Sequence, residues 1–362
     1  MRIALTLLAV VISTLSLSSC KKGNPTEPQG WDLSGRIIFS VGYSNIYELD
    51  LNSSSLTIAT LASGYEPRVN TQATAVVYDA PSATGSLDIY AVNLSGGTAI
   101  LLTNNSVPIE DSWPDWSPDG SSIVFNRVHF PTPYEAIWLM NKDGSGLHAL
   151  TDTTSLAVAK MPRWSPDGNT IAFIGRVPLY PAGEYEYFLF IISPDGTNQV
   201  LLDRADVKMP QWSPDCRYIA YAKSHRYSLT DTVGGVFVVD LTTRLTQRID
   251  IGDVGVIGEG YSWLQNGKLI CVAMNPADST YGIYLASIPS AASSELLATG
   301  FIAVPTVGPS PDRELISIFG QKKGDAGLAF YIMRSDGSDC RKFKDIGLVG
   351  DITDYCYVQW IK

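Results

Sequence analysis

The tetrapeptide Trp-Ser-Pro-Asp occurs three times in this chain, at 116–119, 164–167 and 212–215. Each occurrence lies inside a longer near-copy: WPDWSPDGSSIVF (113–125), MPRWSPDGNTIAF (161–173) and MPQWSPDCRYIAY (209–221). Weaker copies place Val69 (PRVNTQATAVVYD), Trp263 (YSWLQNGKLICVA), Pro309 (TVGPSPDRELISIF) and Trp360 (YVQWIK) in register with the tryptophan. Successive marks are 47, 48, 48, 51, 46 and 51 residues apart. A period just under 50 residues means like units that bury their apolar faces against one another, so it constrains the fold before any composition is considered.

Each unit has the same grammar. In the copy around Trp164, MPRWS is a short strand and PDG a tight turn, where proline presets φ and glycine takes the positive-φ position. NTIAFIG is a second strand, YFLFIIS a third that ends in PDGTN, and QVLLD a fourth. Four short strands joined by hairpins give antiparallel β-structure. The second strands (SIVF, TIAFI, YIAY, LICVA) are nearly solid apolar runs, as expected of strands covered on both faces.

These features predict an all-β fold, a seven-bladed β-propeller of four-stranded antiparallel blades, with six blades as the alternative. The last mark has only its own strand before the chain ends, whereas GRIIFSV, NIYELDL and LTIATLA supply three strands with none before them. One strand plus three completes a blade closed by both termini and leaves no sheet edge exposed.

The W-S-P-D-G repeat, followed by I-Y-x-x-x-x-D-G-S, resembles the repeats of TolB-like propellers, relatives of the WD-repeat family. The resemblance covers residues 31–362. TolB itself carries a separate α/β domain and a six-bladed propeller, so the resemblance extends to the propeller repeats only.

The N-terminus reads separately. Arg2 and the apolar stretch Ile3–Leu17 form a signal-peptide pattern over 1–19, too short for a transmembrane helix. Leu17-Ser18-Ser19-Cys20 resembles a bacterial lipobox, which implies a lipid on Cys20, and residues 20–30 continue as a Gly/Pro-rich tether. The expected setting is the bacterial envelope, with the protein lipid-anchored at the outer membrane and facing the periplasm. Cys340 and Cys356 are candidates for a disulfide. With 36 acidic against 26 basic residues and a net charge of −10, the chain is not expected to bind nucleic acid.

No G-x-S-x-G elbow, P-loop or dinucleotide fingerprint occurs, and the three histidines, His129, His148 and His225, are scattered. Asp-Gly turns resemble calcium loops but lack the ligand order, so no cofactor is expected. The reading is therefore a non-catalytic envelope binding or scaffold protein whose partner is a protein or glycan. A carbohydrate-active propeller enzyme such as a lyase is the alternative.

Two residue sets are candidate contacts. The long loops between second and third strands carry Arg127, His129, Phe130, Tyr134, Arg176, Tyr180, Tyr185, His225, Arg226, Tyr227 and Tyr281. They lie opposite the short W-S-P-D-G and D-G-S turns, and variable loops on a rigid scaffold commonly carry binding. The residues just before each mark are Arg68, Asp115, Arg163, Gln211, Ser262, Gly308 and Gln359. All but the glycine are polar, although they fall in the innermost strand, which suggests a channel lining.

Overall fold

The structure is a computed structural model. It describes residues 31, 33–42, 45–132, 134–152, 156–176, 187–204, 207–223, 235–251, 256–264, 267–275, 277–288, 294–302, 305–346 and 357–362. No α-helix occurs among the described residues.

The chain opens with β1 (Arg36–Val41), β2 (Asn45–Asp50) and β3 (Ile58–Ser63). A four-stranded sheet follows, made of β4 (Tyr65–Val69), β5 (Ala75–Pro81), β6 (Leu87–Asn93) and β7 (Ile100–Leu101). Next come β8 (Ile109–Trp116), β9 (Ser122–His129), β10 (Glu135–Asn141) and β11 (His148–Ala149), then β12 (Val158–Trp164), β13 (Ile171–Arg176), β14 (Phe188–Ile192) and β15 (Val200–Arg204). β16 (Val207–Trp212), β17 (Tyr218–Lys223), β18 (Gly235–Asp240) and β19 (Thr246–Arg248) form one sheet. β20 (Val256–Trp263), β21 (Lys268–Asn275), β22 (Thr280–Ser287) and β23 (Ser294–Phe301) form another. β24 (Thr306–Pro309), β25 (Leu315–Gly320), β26 (Ala329–Arg334) and β27 (Arg341–Asp345) form a third. The last strand, β28 (Tyr357–Ile361), lies antiparallel to β1 and completes the sheet β28-β1-β2-β3.

The blade count departs from the sequence expectation. Five four-stranded blades stand as separate sheets, while β8–β15 make one eight-stranded sheet, so neither seven separate blades nor six is found. The reason is local. β11 is two residues long and pairs only with Trp138 and Leu139 of β10, which leaves the Glu135 end of that edge open. The incoming chain pairs there, Glu135 with Val158 in parallel, and the Glu135 amide donates to the Ala157 carbonyl at 3.3 Å. An open strand edge is a template for whatever strand lies beside it, and here that strand is the chain's own β12.

The apolar second strands occupy the middle of each sheet and are buried on both faces. Every residue of β25 is buried, as are Ile123–Arg127 of β9 and Ile171–Gly175 of β13. Their side chains interdigitate with those of the neighbouring sheet. One cluster joins Ile174 and Leu189 to Tyr221 and Val236, and those to Trp263 and Cys271. Removing one such Leu or Ile side chain from water contributes about 2–3 kcal/mol. Cys340 is disulfide-bonded, whereas Cys216 and Cys271 are free thiols. Cys356, its expected partner, lies outside the described residues, as do Cys20 and the whole of 1–30.

Candidate functional site: the axial cavity

The site begins with a proline. Pro67, Pro114, Pro162 and Pro210 each stand two residues before a mark, in β4, β8, β12 and β16. β4, β8 and β16 are edge strands of their sheets, and β12 meets β10 only at Val158, so at each proline a missing N–H leaves no ladder bond unmade. The residue before each proline has positive φ: Glu66 47°, Trp113 58°, Met161 54° and Met209 55°. The strand pairing shifts register at the same place in all four cases. This is a repeated β-bulge, which bends the strand and re-aims the side chain that follows. The side chains that follow are Arg68, Asp115, Arg163 and Gln211.

The structure brings six of the pre-mark residues to the border of one cavity. Arg68, Asp115, Arg163, Gln211, Ser262 and Gln359 surround a space of about 440 Å³, a typical size for a ligand pocket. Gly308 holds the remaining pre-mark position for a steric reason. A Cβ there would lie 2.9 Å from the Val358 carbonyl oxygen, because β24 and β28 approach closely. Trp164, Trp212, Trp263 and Trp360 form much of the wall. Pro166, Pro214, Ser310 and Pro311 belong to the W-S-P-D-type turns, so the cavity reaches the end of the axis where those turns gather.

The tryptophans also stitch the ring. The indole N–H of Trp116 donates to the Arg68 carbonyl (3.2 Å), that of Trp212 to Arg163 (3.0 Å) and that of Trp263 to Gln211 (3.0 Å). Each mark thereby fixes the backbone of the cavity residue one repeat earlier. Trp164 breaks the series. Its indole nitrogen is buried without a partner among the described residues, and its backbone amide donates instead to the Asp115 carboxylate at 2.8 Å.

The electrostatics are uneven. Burial pushes the Asp115 carboxyl above its ordinary pKa, and Arg163 and Arg68 oppose the shift. Arg68 donates to the Pro67 carbonyl (3.0 Å), lies 3.9 Å from Glu66 and sits over the Tyr357 ring at 4.8 Å. Burial pushes the Tyr357 hydroxyl up to about 12. Arg163 donates to the Pro162 carbonyl (2.9 Å) and faces the Trp113 ring at 5.8 Å. Sequence reasoning missed Arg313 and Tyr357, which also line the space. Arg313 had a signal: it replaces the glycine of S-P-D-G.

The loop candidates do not assemble in the same way. Arg127 is buried and makes a two-point ion pair with Asp111, Nε to Oδ1 at 2.7 Å and Nη2 to Oδ2 at 2.8 Å. Its role there is structural. His129, Phe130 and Tyr134 are exposed, the last two at 49% and 47%. Arg176 ends β13 half-buried; burial raises the pKa of nearby Glu135, and Lys160 and Arg176 oppose that shift. Tyr281 packs half-buried against the core. Tyr180, Tyr185, His225, Arg226 and Tyr227 lie outside the described residues. Among the described residues no group of three or more His, Cys, Asp or Glu could hold a metal ion.

No protein-family model matches the chain, and no curated protein matches it in sequence. Solved structures do match. The oligogalacturonate lyase of Vibrio parahaemolyticus is 12% identical over 88% of this chain and 90% of its own, with a TM-score of 0.61. The β-propeller domain of the Trilobed protease from Pyrococcus furiosus is 10% identical over 87% and 96%, with a TM-score of 0.60. The chain has a β-propeller fold. TolB from Acinetobacter baumannii also matches, 14% identical over 89% and 81%, with a TM-score of 0.49. At these identities the likeness of the propeller speaks of architecture alone.

Proposed function

We propose that this propeller is a non-catalytic binding protein of the cell envelope, engaging its partner at the mouth of the axial cavity. One observation carries the reading: six polar side chains from six repeats, four of them re-aimed by a strained bulge, converge on one tryptophan-walled space. Strained backbone of this kind costs about 1–3 kcal/mol per residue and collects at functional sites. The envelope setting rests on Leu17-Ser18-Ser19-Cys20, read as the anchor site. The exposed Phe130 and Tyr134 form a secondary contact area on the opposite end.

A photo-crosslinking residue at Ser262 tests the reading. In intact envelopes it is expected to trap one discrete partner, while the same group at exposed Thr243, on the outer rim, traps none. Equal labelling at both positions would remove the axial cavity as the binding site. Incubation with oligogalacturonate is expected to give no unsaturated product. Turnover would replace this reading with that of a lyase.

A further inference from the structure

We infer that the end of the propeller bearing the W-S-P-D and D-G-S turns lies against the lipid surface that carries the anchor. The axial cavity then opens toward the membrane, and the loops with Phe130 and Tyr134 point away from it. The inference rests on reading Cys20 as the anchor site, and it adds which face that anchor presents to the lipid.

The chain enters the fold at the turn end. Trp31 faces the guanidinium groups of Arg334 (6.0 Å) and Arg341 (5.3 Å), which flank the turn between β26 and β27. The Ser34 carbonyl accepts the Trp360 indole N–H at 3.1 Å. The Gly35 amide donates to the Asn52 side chain at 3.1 Å, in the turn between β2 and β3. Two neighbouring blades thus hold Trp31, Ser34 and Gly35 at the end to which the cavity reaches.

Tether length then selects the face. Eleven residue steps lead from Cys20 to Trp31. Fully extended they reach at most about 40 Å, and a flexible chain of that length spans about 20 Å on average. A six-residue strand such as β1 is itself about 20 Å long. Turning the loop end to the membrane would draw the tether along the full height of a blade and consume that reach. Setting the turn end down leaves it slack.

The same end carries apolar side chains in a repeated place. Ile100 and Leu101 form β7, Leu147 precedes β11, Val200 opens β15 and Leu245 precedes β19, so four consecutive blades each present an exposed aliphatic group beside the turn that follows the third strand. Leu147 is 40% exposed and Leu245 70%. Single exposed leucines are ordinary on a soluble surface, but a row of them around one end offers the apolar contacts that hold a protein at a lipid interface. The turn aspartates fix the lipid class. Asp143 and Asp195, in two of these turns, are exposed, and hydrogen bonds from Ser145 and Thr197 hold their carboxyls below the usual pKa. Fixed negative charges are repelled by anionic headgroups, so the surface they fit is zwitterionic. A partner that reaches the cavity through this mouth is therefore itself held at the membrane.

The lipidated full chain, in a Cys216→Ser background, is reconstituted on phosphatidylcholine vesicles that carry headgroup-spin-labelled lipid. A nitrobenzoxadiazole label is placed by Leu245→Cys or, at the other end, by Tyr134→Cys. Severalfold stronger quenching is expected at the Leu245 position than at the Tyr134 position, with blue-shifted emission at the former only. Partial replacement of phosphatidylcholine by phosphatidylglycerol should reduce the quenching. Leu147→Ser combined with Leu245→Ser, both at exposed sites, should keep the parent melting temperature and lower the quenching of a label introduced by Gln199→Cys in a neighbouring turn. Quenching at the Tyr134 position that equals or exceeds that at the Leu245 position, or a Gln199→Cys signal unchanged in the double variant, overturns the inference. Failure of the lipidated chain to float with the vesicles would be a separate result, removing the anchor reading itself and the inference with it.

Discussion

Asp79 is a carboxyl group that folding keeps protonated into the neutral range. It is 3% exposed, and burial pushes its pKa from 3.8 up to about 7, against the Trp113 amide, which donates to it at 3.3 Å, and the nearby Arg68. The sign follows from linkage. Below pH 3.8 both folded and unfolded states bind the proton, so the group costs nothing. Between 3.8 and about 7 the unfolded state releases the proton first, and folding stability falls as pH rises. The gap corresponds to on the order of 4 kcal/mol. Asp79→Asn keeps the acceptor oxygen and removes the ionisation. Its urea midpoint is expected to exceed the parent's at pH 8 and to match it near pH 4, and equal midpoints at pH 8 would refute the account. Arg127 makes the opposite case, a charge that must be kept. Arg127→Met leaves Asp111, 0% exposed, without its ion pair and should lose about 3–5 kcal/mol in denaturant melts. A loss below 1 kcal/mol would return Arg127 to the pool of contact residues. The sequence distinguished these arginines only in part. Arg68 and Arg163 were legible because each lies between a proline and a repeat mark. Arg127 follows an apolar strand and precedes a loop, and its partner Asp111 lies 16 residues back with no motif to announce it.

At the scale of the element, the W-S-P-D turn is a closed set of hydrogen bonds repeated in four copies. Ser117, Ser165, Ser213 and Ser310 donate to the aspartate two residues on, at 2.6, 2.6, 2.5 and 2.6 Å. The same aspartate oxygen accepts the amide two residues further, and the serine oxygen accepts the amide that starts the next strand. The Ser117 hydroxyl and the Ser121 amide accordingly hold the Asp119 carboxyl below its usual value. These aspartates are engaged in turn geometry, as their sequence context implied. Ser165 is 1% exposed, so Ser165→Ala leaves the half-buried Thr170 amide without its acceptor and should cost about 1 kcal/mol in thermal or urea unfolding. A neutral result would mean that water replaces the hydroxyl. The turns were readable because Pro-Asp-Gly carries its own stereochemistry. The joining of β8–β15 into one sheet was not, because it depends on how few residues of β11 reach the edge of β10, and GLHALT does not mark where pairing stops.

At the scale of the whole molecule, closure rests on a few residues from each end. β28 pairs with β1 from Arg36↔Ile361 to Ser40↔Tyr357, and the Trp360 indole donates to the Ser34 carbonyl at 3.1 Å. Val358 and Trp360 pack in the same core cluster as Ile37, Phe39 and Phe330. Deleting Tyr357–Lys362 strips that strand from β1 and opens the flank of β24. The expected outcome is loss of soluble, cooperatively unfolding protein, and a truncation that melts like the parent would refute closure by β28. Gly35 gives a subtler test. Its φ is 98°, and a Cβ there would collide with the Ile361 carbonyl oxygen, so Gly35→Ala should lower the melting temperature by several degrees.

That seam also sets a clock. Tyr357 donates its amide to the Ser40 hydroxyl across 317 residues of sequence. At ribosomal rates of about 5–20 residues per second, roughly 15–60 s separate the synthesis of the two partners. Throughout that interval β1 has a bare inner edge, and no local rearrangement can supply what is missing. The ring is therefore completed late, and a chain that stops a few residues short keeps the exposed edge of an unfinished product.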